Sequence, residues 1–177
     1  MQIDFSKNHF ELFHLPVVYP IDLPALEQAY REVQREVHPD RFANTTGAEQ
    51  RLAAQWATQV NEAYRTLKSP LARGRYMLKL HGIDTEEESN TAMPVEFLMQ
   101  QMEWREAVVE AAQSKNEDEL DRLTNDKRQE EKRLFALLAE QLGSEATRRD
   151  ARETVRKLRF LEKLGEEIDV AAESLGA

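Results

Sequence analysis

The sequence predicts an all-α protein in two parts, an antiparallel helical hairpin with short flanking helices followed by a three-helix bundle. Three observations carry this. Apolar residues recur at three- and four-residue spacing along most of the 177 residues, and no stretch alternates convincingly with the two-residue period of a strand. Glycine and proline number only six each, too few for a loop-rich or all-β chain. The helical stretches also change character near residue 83, from short to long.

A short helix is expected around Phe10–Phe13. Asp22 is placed to cap the next one, with Pro24 in the first turn, where a missing amide hydrogen costs little. Leu23, Leu26, Tyr30, Val33 and Val37 then form one apolar stripe. His38-Pro39-Asp40 ends it, because the residue before a proline is steered out of the α region and Pro39 has no N–H to continue a helix. A second helix begins near Ala48, with Leu52, Trp56, Val60, Ala63 and Leu67 on one face. Neither helix can bury its stripe alone, so the two are expected to pack antiparallel across a short loop. Pro70 marks a break, and Leu71–Leu80 reads as another short helix ending at Gly82. The first part is thus expected to span residues 1–82.

Residues 83–93 are acidic, polar and without periodicity, and read as a linker. From 94 to 177 three long amphipathic helices follow. One runs from about Pro94 to Gln113. The next starts near Asn116, which has capping-box spacing to Glu119, and stops before Gly143; the last runs from roughly Glu145 to Leu175. Short connections between long helices predict an antiparallel bundle. Gly165 is a candidate kink in the last helix.

Apolar residues make up 41% of the chain and charged residues 32%, and the net charge is −9. Nucleic acid and anionic membranes are disfavoured, since both need a concentrated positive surface. There are no cysteines, which excludes disulfides, thiol catalysis and thiolate-held zinc or iron–sulfur clusters on this chain. His9, His14 and His81 share no ligand spacing, so neither a metal nor a cofactor is expected. No apolar run approaches the ~20 residues of a membrane helix. The start Met1-Gln-Ile-Asp-Phe-Ser-Lys lacks the basic end and apolar core of a signal peptide, and a cytoplasmic location is expected.

At about 100° per residue, Arg31, Gln34, Arg35 and His38 lie beside one another on the helix leading into the turn, and Arg41 continues the positive edge. Such an edge can dock an acidic surface while Asp40 meets a cation of the partner. A solvated helix face is the alternative. As an acid–base pair, His38 and Asp40 would need a nucleophile, a metal set or a phosphate-binding loop, and none accompanies them. Pro39 between them is also expected to point the two side chains differently.

His38-Pro39-Asp40 between two antiparallel helices resembles the J domain, the module with which DnaJ-type co-chaperones stimulate DnaK-type ATPases. The flanks Tyr30-Arg31-Glu32-Val33-Gln34-Arg35-Glu36-Val37 and Asn61-Glu62-Ala63-Tyr64-Arg65-Thr66-Leu67 agree with it. His38-Pro39-Asp40-Arg41-Phe42, Ser69-Pro70-Leu71-Ala72-Arg73 with Tyr76, and Val155-Arg156-Lys157-Leu158-Arg159-Phe160-Leu161 together resemble the HscB family. The likeness spans nearly the whole chain. It implies a non-enzymatic co-chaperone of iron–sulfur cluster assembly that binds the scaffold IscU, delivers it to the chaperone HscA and stimulates the HscA ATPase, promoting cluster transfer. His38, Pro39 and Asp40, with Arg31, Arg35 and Arg41, would then meet the chaperone.

The same resemblance carries scaffold binding onto Leu98, Met99, Met102, Glu103, Glu106 and Glu110, joined by Phe160. These first six follow helical i, i+3, i+4 spacing along one side. Methionine adapts to a partner surface, and carboxylates around it can set register. Spacing alone leaves packing in the core open for Leu98, Met102 and Phe160. A J-domain adaptor that delivers a different client to a DnaK-type chaperone is the alternative function.

Overall fold

The computed structural model describes residues 6–42, 45–85, 87 and 93–175, and among them all regular structure is helical. The helices are α1 (His9–Leu12), α2 (Leu23–Val37), α3 (Gly47–Lys68), α4 (Pro70–Leu80), α5 (Val95–Ser114), α6 (Glu117–Leu142) and α7 (Ala151–Leu175). The chain divides into two compact units between Met77 and Leu78, inside α4. Most of the predicted linker, residues 86 and 88–92, lies outside the described residues, as do the first five.

In the N-terminal unit each helix starts where a side chain satisfies its free amides. Asn8 and Glu11 bond reciprocally at the start of α1, and the Asp22 carboxylate accepts from the Ala25 amide at 3.0 Å at the start of α2. Thr46 and Glu49 form a second capping box that opens α3, a signal not drawn from the sequence. The α2–α3 hairpin is pinned by the Tyr30 and Tyr64 rings, stacked 4.1 Å apart, and the Tyr30 hydroxyl donates to Asn61 Oδ1 at 2.9 Å. Leu26 and Val37 of α2 and Trp56, Val60, Ala63 and Leu67 of the α3 stripe are all buried, and the two helices pack together. Two expected stripe members are instead exposed. Leu23 is the first residue of α2, with no preceding turn beneath it, and Leu52 sits about 100° around the helix from Ala53, which takes the buried place.

Arg73 of α4 is buried, bonds the Leu67 carbonyl and lies 4.9 Å over the Tyr19 ring. That bond ties α4 to the end of α3, and the ring face offsets part of the cost of burying the guanidinium. Gly82, at φ +69°, takes the left-handed position after α4 that lets the Ile83 amide reach the Leu78 carbonyl at 2.9 Å.

In the C-terminal unit α5, α6 and α7 form the expected three-helix bundle around leucines of α6 and α7. Since α6 runs back between them, α5 and α7 are parallel, in the register Phe97–Phe160 and Arg105–Glu167. The last helix starts at Ala151 rather than Glu145. The Thr147 hydroxyl donates to the Gln141 carbonyl at 3.1 Å, so residues 145–150 cap α6 in turns instead of extending α7. At the other end of α6, Asn116 caps the Glu119 amide at 3.1 Å, but the Glu119 carboxylate pairs with Arg122 and leaves the box half-formed. Gly165 does not interrupt α7. A Cβ there would stand 2.6 Å from Lys127 Cε, so the glycine makes room for a side chain of α6. No helix among the described residues is long and apolar enough to cross a membrane.

Candidate partner-binding surfaces

The first surface is the turn that closes the hairpin. Its geometry follows from Pro39. Helix α2 ends at Val37, His38 is extended (φ −58°, ψ 131°), and Pro39–Phe42 form a 3-10 turn closed by the Arg41 amide on the His38 carbonyl at 3.0 Å. This turn corrects one expectation. The proline does not separate the two side chains, because the tight turn brings residue 40 back beneath the imidazole. His38 Nδ1 lies 3.3 Å from the Asp40 amide nitrogen and 3.4 Å from Asp40 Oδ2. A single ring nitrogen either accepts from that amide or, when protonated, faces that carboxylate. In both cases the ring is tethered to Asp40 through Nδ1.

The Asp40 side chain is 90% exposed and, among the described residues, meets no lysine or arginine. An exposed carboxylate held on a tight turn is available to a cation from outside. The arginines around it differ in what they can offer. Arg31 is exposed and 3.9 Å from Glu27, a loose pair, and Arg35 is exposed in the last turn of α2. Arg41 instead folds back, its Nη1 3.5 Å from the Arg35 carbonyl, where it meets the negative end of α2. Thus Arg31 and Arg35 carry the outward positive edge, and Arg41 supports the turn.

The second surface lies on α5. Met99 and Met102 are 57% and 62% exposed, and Glu103, Glu106 and Glu110 are exposed around them. Large apolar side chains clustered in water on one face of a helix are the mark of a partner surface rather than of a core. Leu98 and Phe160 are half-buried. The Phe160 ring meets Phe97 edge to face at 5.9 Å, so its inner edge belongs to the bundle and only its outer edge is free. Val95, also exposed, was missed in the sequence. Val95, Met99 and Met102 follow the same four- and three-residue steps, and that spacing was the signal that could have found it. Trp56 is buried in the hairpin core, and Trp104 is half-buried on α5.

A helical hairpin with a His38-Pro39-Asp40 turn at its closed end, carried ahead of a helical bundle, defines a J-domain co-chaperone. A family model described as the HSCB C-terminal oligomerisation domain matches residues 93–169. The chain is 52% identical over 170 residues to the co-chaperone protein HscB homolog of Paraburkholderia phymatum, covering 96% of this chain and 97% of that protein. Chaperone HscB from Vibrio cholerae matches in structure with a TM-score of 0.84 at 34% identity, covering 96% of this chain and 99% of that one. Human co-chaperone protein HscB matches with a TM-score of 0.88 at 29% identity, covering 95% and 83%. The chain belongs to the HscB family of co-chaperones.

Proposed function

We propose that this co-chaperone binds the iron–sulfur cluster scaffold IscU through α5 and Phe160, delivers it to the DnaK-type chaperone HscA and stimulates ATP hydrolysis there. The protein performs no chemistry of its own and acts in the cytoplasm. His38, Pro39 and Asp40 contact the chaperone, and Arg31 and Arg35 steer the approach of its acidic surface. Leu98, Met99, Met102 and Phe160 supply the apolar centre of the scaffold contact, and Glu103, Glu106 and Glu110 set its register.

The observation that carries this reading is the pair of exposed methionines ringed by carboxylates on one unit, with the exposed Asp40 turn on the other. The reading is tested by measuring the chaperone ATPase rate with this protein and the scaffold, added separately and together. Synergy between the two is the expected result. Stimulation by this protein alone, with no further effect of scaffold, would leave the J-domain role standing and remove the scaffold. In that case a pull-down identifies the different client of an adaptor.

A further inference from the structure

Beyond Met102 the seam between α5 and α7 opens into a second apolar feature. A groove of about 750 Å³ is floored by Val108, Ala112 and Ala171 and walled by Val109 and Val170. Val109 and Val170 are 55% and 66% exposed, one from each helix. Because α5 and α7 are parallel, this groove is collinear with the Leu98–Met102–Phe160 surface rather than on another side of the bundle. Seven residues of α5 separate Val109 from Met102, a rise of roughly 10 Å. The Arg105–Glu167 ion pair, at 3.2 Å, and exposed Glu106 lie along that stretch.

We propose that the groove is the second half of the scaffold-binding surface, taking an apolar side chain on a segment of the scaffold whose neighbours are basic. This rests on the scaffold reading above and extends it to Val109 and Val170. Two observations support it. The first is continuity: Met99, Met102, Glu106, Val109 and Gln113 follow one repeating three- and four-residue step, all exposed, so a partner lying along α5 over Met102 runs directly onto Val109. The second is charge. The lining contributes two carboxylates, Glu166 and Glu167, against one guanidinium, Arg105, which is already paired with Glu167. Glu106 and Glu110 flank it on α5. A basic segment finds complementary charge there, whereas a second copy of this chain would bring Glu106, Glu110 and Glu166 of both copies into one interface.

The test is scaffold affinity by calorimetry for the full chain, for Val109→Ser with Val170→Ser, for Glu166→Lys, and for Met102→Ala. Circular dichroism verifies that each variant keeps its helices. Expected are a loss of about tenfold for the valine pair and a weaker, salt-sensitive loss for Glu166→Lys. Unchanged affinity in the valine pair, with Met102→Ala weakened, would overturn the groove proposal and leave the scaffold reading intact. No scaffold binding by the unmodified chain would remove both. Sedimentation supplies one further overturning result, a dimer of the unmodified chain that the valine pair converts to monomer, since the groove would then be filled by a second copy.

Discussion

His38 and Asp40 share one contact. The Asp40 amide and the Asp40 carboxylate both stand within 3.4 Å of His38 Nδ1, across a proline that contributes no amide hydrogen. The imidazole is therefore oriented by the very residue whose carboxylate is exposed to solvent. The two side chains are thus coupled through Nδ1 rather than independent.

Asp40→Asn keeps the backbone amide that holds His38 and removes only the charge. It is expected to abolish stimulation of the chaperone ATPase while scaffold affinity stays unchanged. Steady-state ATPase assays beside calorimetry check this, and normal stimulation by the variant would remove the chaperone-binding role of the turn.

Met102 and Phe160 separate binding from folding. Met102 is mostly exposed, so Met102→Ala should leave bundle stability within about 0.5 kcal/mol while weakening scaffold binding about tenfold. Phe160 packs edge-on against Phe97, so Phe160→Ala should weaken binding and also cost ~2–3 kcal/mol of stability. Urea unfolding and calorimetry on the same samples distinguish the two effects.

Gln101 is only 2% exposed in the bundle, and among the described residues neither atom of its side-chain amide meets a hydrogen-bond partner. Burying an amide in this way costs about 1–3 kcal/mol. Gln101→Met, close in length and without the polar atoms, should raise the urea midpoint by the equivalent of ~1 kcal/mol. A lower midpoint would show that the amide contributes a contact to the bundle.

Tyr19 should make the N-terminal unit sensitive to alkali. Its hydroxyl donates to the Pro70 carbonyl at 3.2 Å, and burial pushes its pKa up from 10.0 to about 12, against the opposing pull of Arg73. Below pH 10 folded and unfolded chains both keep the proton, and the contribution is fully present. Between pH 10 and about 12 the unfolded chain alone gives it up, so stability falls with rising pH until the folded state ionises too. Burial shifts Tyr76 the same way, so the Tyr19→Phe variant is needed to isolate the effect. Its stability should fall less over this range, and ultraviolet titration of the four tyrosines should lose the step near pH 12.

By itself the sequence determined the helices and most of what ends them. Period and punctuation are local properties: the Asp22 cap, the stop at Pro39 and the 3,4-spaced stripes of α2 and α3 are all written within a few residues of where they act. Its failures came where a contact made only in the folded chain decides. Thr147 turns back onto Gln141, so α7 starts at Ala151, and the side chain of Lys127 explains a glycine at 165 that local propensity reads as a kink. The same holds at the surfaces. Spacing could line up Leu98 and Met102, with Phe160 joined only by resemblance, but could not separate core from interface, because helical periodicity is the same for both. Only packing decided that Met102 faces water, that Phe160 is held by Phe97, and that Val109 and Val170, 61 residues apart by number, wall one groove. The turn shows the limit most plainly. Three consecutive residues named it, yet the closeness of the imidazole and the carboxylate depends on a 3-10 hydrogen bond between His38 and Arg41 that residue identity alone did not reveal.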